Sequence, residues 1–170
     1  MSVLVHEVQL ESVERTVAVD VGTSLLQNDP NSPFHAVVDN QDLIEERCLL
    51  IWADIETPTL KTTGRVGFCT VRVCEEFVEL YRFYVAPDFR RLGVARRALA
   101  LLAEYISNEG FSEFYIEATT KEASEFWAVA ARDFAVFEAG HMKWRLSFSP
   151  EDLAARGASS DDSSPETGPA

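Results

Sequence analysis

The residues with the clearest chemical potential lie in one segment, from Glu79 to Arg97. The stretch from Glu79 to Val85 is rich in β-branched and aromatic residues, which predicts a strand. Pro87 marks the exit from this strand, Gly93 follows in a turn, and apolar residues then recur at helical spacing. Backbone amides at a helix N-terminus are unpaired and carry partial positive charge. This order of elements therefore predicts a binding site for a phosphate or pyrophosphate.

Four of the fifteen basic residues cluster in this segment, at Arg90, Arg91, Arg96 and Arg97. A run of charge is often only a solvated face, but arginines at the mouth of a glycine-containing turn are typical of an anion site. Gly93 allows the backbone to approach a ligand closely, and the small Ala95 keeps the first helical turn open. The cluster therefore strengthens the prediction of an anion site.

The whole chain is acidic, with a net charge of −13 at pH 7. This charge repels nucleic acid and favours cationic or neutral partners, although it also serves solubility. The three histidines, His6, His35 and His141, are scattered, and no His/Cys spacing suits zinc, so we predict no metal site.

A length of 170 residues and a hydrophobic fraction of 46% indicate one folded globular domain. The first residues lack a basic leader with a sustained apolar stretch, and no segment reaches the about 20 apolar residues of a membrane helix. We therefore expect neither a signal peptide nor a membrane span. Three cysteines without CxxC spacing suit a reducing compartment, so we predict a cytoplasmic protein with Cys48, Cys69 and Cys74 as small core residues.

The hydrophobic pattern predicts the elements that position these residues. Residues 11–47 are expected to be mostly helical, interrupted by a loop at 28–33. The predicted strands are 49–55, 65–73, 77–85, 111–118, 134–138 and 141–148, with a turn at 57–63 and a hairpin turn at Ala139-Gly140. The predicted helices run from Leu92 to Gly110 and from Lys121 to Ala131.

These elements predict an α/β (α+β) fold. Three strands joined by short loops form an antiparallel meander, and the strand–helix–strand unit after it requires two parallel neighbours. A closing hairpin completes a mixed, mostly antiparallel sheet with helices on both faces. We expect one domain over residues 1–148, a short helix over 149–156 that begins at Ser149-Pro150, and a disordered acidic tail over 157–170.

The central segment resembles a known family. Arg90-Arg91-Leu92-Gly93-Val94-Ala95 matches the Gln/Arg-x-x-Gly-x-Gly/Ala signature of the GNAT acetyltransferase superfamily, and Tyr84-Val85-Ala86-Pro87 looks like its usual strand-to-turn approach. The resemblance covers about residues 45–148, and the predicted elements follow the family's order. It implies the GNAT fold and an acyl-CoA-dependent N-acyltransferase that uses acetyl-CoA as co-substrate and a primary amine as acceptor.

The resemblance also implies residues that bind the co-substrate. Backbone amides from Arg91 through Ala95 would hold the pyrophosphate of coenzyme A. The preceding strand would separate from its neighbour, and pantetheine would lie in the gap against the backbone near Phe83 and Val85. The amide near Phe83 would polarise the thioester carbonyl. The implied cofactor-binding residues are Phe83, Tyr84, Val85, Arg90, Arg91, Leu92, Gly93, Val94, Ala95, Arg96, Thr120 and Trp127.

The resemblance further implies a general base for the acceptor ammonium. Glu79 lies where some family members carry this base, and Glu117 on the next strand is the second candidate, although a strand glutamate is often an ordinary exposed residue. Strict alternation would place Glu79, Tyr81 and Phe83 on one face, so we predict that Tyr81 lines the acceptor pocket.

Two positions depart from the family pattern. Thr120 stands where many members carry an asparagine that contacts pantetheine, and Trp127 stands where many carry the tyrosine that protonates the leaving thiolate. Indole has no usable acid proton, so Trp127 is not the general acid. Either Tyr84 or Tyr115 takes that role, or the thiolate leaves unassisted. Trp127 is alternatively a core-packing residue.

Two other functions fit the same residues. A catalytically weak CoA-binding regulatory module is suggested by the missing tyrosine, and a protein-interaction domain on a GNAT scaffold is suggested by the acidity of the chain. The sequence does not identify the acceptor. Because the closing strands often pair between subunits in this family, the resemblance also implies a possible homodimer.

Overall fold

The computed structural model describes residues 4–38 and 46–161, with side chains up to residue 156. The elements follow in the order β1 (Leu4–Ser12), α1 (Arg15–Gln27), β2 (Glu46–Glu56), β3 (Lys61–Val73), β4 (Val78–Val85), a 3-10 helix (Pro87–Phe89), α2 (Val94–Asn108), β5 (Glu113–Glu117), α3 (Lys121–Ala130), β6 (Ala135–Gly140), β7 (Lys143–Ser147) and α4 (Pro150–Asp161). The strands form one sheet in the order β1-β2-β3-β4-β5-β7-β6.

The sheet is mixed and mostly antiparallel, as the sequence predicts. Only β4 and β5 are parallel among the neighbouring strands of the described chain, and α2 connects them. Leu99 and Leu102 of α2 are fully buried in the larger core cluster. Ala18 and Leu26 of α1 belong to a second cluster, with Phe68 of β3. The predicted α/β fold with helices on both faces is therefore confirmed.

The N-terminal part of the chain differs from the prediction. Residues 4–12 form β1, an edge strand paired with β2, although no strand was predicted there. Only Val8 of this strand is buried, so its hydrophobic pattern is weak. The expectation that residues 11–47 are mostly helical holds only for α1. The predicted loop at 28–33 does follow that helix, whereas residues 39–45 lie outside the described chain.

The closing hairpin turns two residues later than predicted. β6 continues to Gly140, and the connection lies at His141-Met142 rather than at Ala139-Gly140. Met142 adopts a left-handed φ of 58°, and the β6–β7 register shifts between Glu138 and Gly140. A bulge at Ala139 thus absorbs the residue that the predicted turn would have used.

The C-terminal helix begins at Pro150 as predicted but continues to Asp161, past the expected end at Gly157. A glycine costs a helix only about 1 kcal/mol, and the alanine and serine residues that follow are compatible with helical structure. The structure thus places residues 157–161 in α4, where the sequence analysis expects the start of the tail. The rest of the predicted tail, residues 162–170, lies outside the described residues.

A buried carboxylate ties the turn after α1 to the exit of β4. Asp29 is 6% exposed, and its Oδ2 accepts hydrogen bonds from the Tyr84 hydroxyl at 2.8 Å and from Arg90 Nη2 at 3.1 Å. Its Oδ1 accepts the Asn31 amide at 3.1 Å. The hydrogen bond from Tyr84, with help from Arg90, holds the pKa of Asp29 below its usual value. Burial and the same hydrogen bond raise the pKa of Tyr84 to about 12.

We expect Asp29→Asn to lower the melting temperature at neutral pH. A carboxylate whose folded-state pKa is depressed contributes stability above its unfolded pKa, and this contribution is lost as the pH falls through the folded-state value. The difference between wild type and variant should therefore be constant well above the ordinary pKa of 3.8 and should shrink below it. Thermal unfolding in a pH series measures this difference. Asp20→Asn, at an exposed position of α1, is the control. A difference unchanged by acid would contradict the prediction.

Candidate functional site

The turn before α2 has an unusual backbone. Gly93 is the N-cap of this helix and has a φ of 84°, and Arg91 also adopts a positive φ of 62°. A left-handed conformation costs a side-chain-bearing residue roughly 1–2 kcal/mol, whereas glycine adopts it freely. The sequence prediction of a glycine-dependent turn at the start of a long helix is therefore correct.

The amides of this turn are available to a ligand. Within the described residues, no backbone or side-chain acceptor bonds the amides of residues 91–96, and the first main-chain bond of the helix runs from Arg97 N to Gly93 O at 3.2 Å. A Cβ added at Gly93 would meet no atom within 4 Å, so the space in front of the turn is open. Unpaired amides at the N-terminus of a 15-residue helix form a geometry that binds anions.

Arg90 has a structural role. Its Nε donates to the Val85 carbonyl at 2.8 Å, and its Nη2 donates to Asp29 at 3.1 Å. The guanidinium also lies 5.4 Å from the centre of the Tyr84 ring. Two of its donor groups are thus directed toward the protein, so the predicted contact of the Arg90 side chain with a phosphate gains no support.

Of the other three arginines, two also contact the protein and one does not. Arg96 forms a two-point ion pair with Asp133, with Nη2 and Oδ1 2.6 Å apart. Arg97 Nη1 donates to the Val5 carbonyl at 2.8 Å. The exposed side chain of Arg91 has no hydrogen bond or ion pair within the described chain. Of the four arginines that the sequence brings together, Arg91 is therefore the one that tertiary contacts leave available.

A groove opens where β4 and β5 separate. The two strands pair at a single position, Glu79 with Tyr115, although β4 continues to Val85. The Ala86 amide donates to Val66 of β3 at 2.8 Å. Because backbone groups alternate along a strand, the amides of Phe83 and Val85 face the opposite edge, toward β5. This matches the separation of strands that the family resemblance implies, although Arg90 already donates to the Val85 carbonyl.

Aromatic side chains form one wall near this groove. The Phe83 ring is 9% exposed and lies 6.0 Å from Phe126 and 6.1 Å from Trp127, measured between ring centres. Trp127 is half-buried and packs against the core cluster that contains Phe83. This agrees with the alternative that Trp127 is a core-packing residue. Thr120 caps α3, and its hydroxyl oxygen accepts the Ala123 amide at 3.1 Å. The Thr120 hydroxyl retains its proton for donation to a ligand.

A bulge in β4 interrupts the predicted alternation of side chains between the two faces of the sheet. Thr70 pairs with Arg82 and Val71 pairs with Leu80, which leaves Tyr81 without a partner on β3. Leu80 and Phe83 consequently contribute to the same core cluster, on the face covered by α2. The prediction that Glu79, Tyr81 and Phe83 share one face is therefore wrong for Phe83. Side chains of a strand alternate between faces at every second residue, and the extra residue in the bulge reverses this alternation after Tyr81.

Glu79 and Tyr81 nevertheless remain neighbours. Burial, followed by a hydrogen bond to Glu79, raises the pKa of the Tyr81 phenol to about 12. Arg72 lies over the Tyr81 ring, 4.5 Å from its centre. The ring is 37% exposed, so Tyr81 presents an aromatic surface beside the candidate base.

The structure brings the two candidate bases to one cation. Lys143 Nζ lies 3.8 Å from Glu79 Oε1 and 3.6 Å from Glu117 Oε1. The Glu79 side chain is 23% exposed and that of Glu117 is 61% exposed. Sequence reasoning missed Lys143. No local sequence signal identifies it, because its position depends on the β5–β7 register, which sets Lys143 directly opposite Glu117.

The two candidate acids occupy different surroundings. Tyr84 is 2% exposed, stacks on Phe68 at 5.4 Å and directs its hydroxyl to Asp29. This position argues against Tyr84 as the general acid. Tyr115 is half-buried, pairs with Glu79 across the two strands and contacts Phe77. Of the two candidate acids, Tyr115 is therefore the one that lies beside a candidate base.

The remaining polar and cysteine residues have simpler roles. Cys48 and Cys69 are buried, which agrees with their prediction as core residues, while Cys74 is partly exposed. Within the described ranges, no three His, Cys, Asp or Glu residues are arranged to hold a metal ion. No helix in this part of the chain combines the length and apolar character that crossing a membrane requires.

Several solved acetyltransferase structures share this fold. One is a GNAT-family acetyltransferase from Staphylococcus aureus, with 13% identity and a TM-score of 0.54 over 84% of this chain and 100% of that one. The PaiA N-acetyltransferase from Thermoplasma acidophilum, solved in complex with coenzyme A, has 10% identity and a TM-score of 0.51 over 82% and 97%. The ribosomal-protein-S18-alanine N-acetyltransferase from Escherichia coli has 13% identity and a TM-score of 0.52 over 82% and 90%.

The sequence itself matches a family model, although no curated protein matches it significantly. Residues 21–130 match the Acetyltransferase (GNAT) family, and this range contains the open turn, the separated strands and Glu79. The match spans more than half of the 170 residues. The predicted family is thereby confirmed: the chain belongs to the GNAT family of acetyltransferases.

Proposed function

We propose that this protein transfers an acetyl group from acetyl-CoA to a primary amine by direct attack within a ternary complex. The observation that carries the proposal is the set of amides at residues 91–96, which lack acceptors within the described chain and face open space at Gly93. These amides are adjacent to the separation of β4 and β5. A pyrophosphate and an extended pantetheine arm match these two features.

In this proposal the coenzyme binds mainly through the backbone. Amides from Arg91 to Ala95 hold the pyrophosphate, with Leu92, Gly93 and Val94 between them, and the free Arg91 side chain adds charge. The pantetheine arm lies along Phe83 and Val85 and near Thr120 and Trp127. The solved complex of the T. acidophilum enzyme with coenzyme A supports the choice of coenzyme.

The proposed chemistry has three components. The Phe83 amide polarises the thioester carbonyl, as an oxyanion hole does. Glu79 accepts a proton from the acceptor ammonium, directly or through water. The thiolate of CoA then leaves, either protonated by Tyr115 or unassisted. Glu117 is the alternative base, since it shares Lys143 with Glu79.

The acceptor in this proposal is a cationic amine, on a small molecule or a protein. Glu79 and Glu117 supply negative charge, and Tyr81 supplies an exposed aromatic face. The net charge of −13 attracts a cation over longer distances. The E. coli neighbour is named for a ribosomal-protein alanine acceptor, which is consistent with an amine on a protein.

We also propose a cytoplasmic location and a homodimer formed through the closing strands. β6 is an edge of the sheet, and its Val136 is 50% exposed.

A second function, a CoA-binding module without turnover, is favoured by one feature: Trp127 occupies the expected position of the acid and packs on Phe83. Thiol release with a panel of amines separates the two functions, because a binding module produces none.

We expect Gly93→Glu to abolish acetyl-CoA binding. Two like charges 4 Å apart near a protein surface repel by about 4 kcal/mol, so affinity should fall by at least about 100-fold. Isothermal titration calorimetry measures the loss. Gly93→Asn is the matched control, because asparagine tolerates the left-handed conformation and adds no charge. Equal affinities of wild type and Gly93→Glu would contradict the proposed pyrophosphate site.

We expect Glu79→Gln to lower kcat while leaving the affinity for acetyl-CoA unchanged. General-base catalysis typically contributes 10²–10⁴-fold, and an amide side chain cannot accept the proton, so a loss of about 100-fold is the minimum expected. Thiol release gives kcat, and calorimetry gives the affinity. Glu117→Gln, which removes the other carboxylate beside Lys143, should have the smaller effect. A larger loss in Glu117→Gln would transfer the role of base to Glu117.

A further inference from the structure

An amine of the protein itself lies at the candidate base. Lys143 is the first residue of β7, and its Nζ lies between Glu79 and Glu117, 3.8 Å and 3.6 Å from their Oε1 atoms. Tyr81 borders the same carboxylate of Glu79. The Lys143 side chain is 44% exposed, so solvent and ligands reach it. A primary ammonium thus occupies the place where the acceptor ammonium would be deprotonated.

From this position we infer that Lys143 is an acetylation site of the protein itself, modified in its own active site when no other acceptor is bound. The inference rests on the proposed function, because it uses the same donor and the same base. Lys143 satisfies the chemical definition of the acceptor, a primary amine held next to Glu79. Its attachment to the sheet replaces the binding step that a free acceptor requires, which raises its effective concentration.

The reaction is balanced as follows. Glu79 takes one proton from the Lys143 ammonium, and the neutral Nζ attacks the carbonyl carbon of the thioester. A C–N bond forms, the C–S bond breaks, and the thiolate leaves and takes up a proton to give CoA. The amide nitrogen loses its second proton to solvent. One acetyl-CoA and one lysine ammonium give one acetyl-lysine, one CoA and one proton.

Acetylation would change the charge of the site. An acetylated Lys143 carries no positive charge, so Glu79 and Glu117 would lose the cation that they share. Both carboxylates would then face an incoming cationic acceptor without internal competition. The modification therefore changes the summed charge of these three side chains from −1 to −2.

The chain contains its own internal controls. Its other lysines are Lys61 and Lys121. The Lys121 side chain is 84% exposed, and its Nζ lies 3.7 Å from Glu125 at the start of α3. Lys121 is more exposed than Lys143, so accessibility alone favours non-enzymatic acetylation of Lys121. Only a reaction directed by the active site reverses this order.

The test is incubation of the full chain with acetyl-CoA and no amine, followed by peptide mass spectrometry over time. We expect Lys143 to be acetylated about tenfold faster than Lys121, at a rate per molecule independent of protein concentration. Excess CoA should slow acetylation of Lys143 by occupying the donor site, while Lys121 continues unchanged. Glu79→Gln should also slow acetylation of Lys143 alone.

Two outcomes would overturn the inference: Lys143 reacting no faster than Lys121, or reacting equally fast with and without excess CoA.

Acetyl-CoA binding, by calorimetry, and thiol release with added amines are measured on the same sample. If binding and amine turnover occur while Lys143 stays unmodified, this inference fails and the proposed function stands. If neither occurs, the proposed function fails first. Lys143→Arg, which keeps the charge and removes the acceptor, should eliminate the modified peptide.

Discussion

Main-chain hydrogen-bonding groups without internal partners are the constraint around which this structure is organised. One edge of β4 pairs with β3 along the strand except at the Tyr81 bulge, whereas the other edge meets β5 at a single position, Glu79 with Tyr115. A few residues later, the amides of residues 91–96 again lack acceptors within the described chain. Polar backbone left unpaired costs free energy unless water or a ligand satisfies it. Both sets lie on one path along β4 and into α2, which favours an elongated ligand carrying phosphates.

The surrounding contacts hold this open path in place. Asp29 joins the turn after α1 to Tyr84 and Arg90, so the strand exit is fixed on the face opposite α2. On the other face, Phe83 packs against α3, and the fully buried residues of α2 fill the core. Three of the four clustered arginines, Arg90, Arg96 and Arg97, thus contact other parts of the protein. The candidate anion site therefore depends more on backbone geometry than on the number of arginines near it.

The negative charge around Glu79 is only partly balanced by a cation of the protein itself. The carboxylates of Glu79 and Glu117 share Lys143, although the chain as a whole is strongly acidic. The bulge at Tyr81 turns an aromatic surface toward these groups and sends Phe83 to the core. One inserted residue therefore separates the face that carries the candidate bases from the face that packs against α2 and α3.

The sequence alone determined the fold class and the strand–turn–helix segment with Gly93, because these depend on local periodicity and on the conformational freedom of one glycine. Glu79 became the candidate base only through the resemblance to a known family. Tertiary structure decided the rest. Partners distant in sequence, such as Asp29 and Asp133, engage Arg90 and Arg96. The bulge at Tyr81 and the position of Lys143 follow from strand register, which no residue specifies by itself.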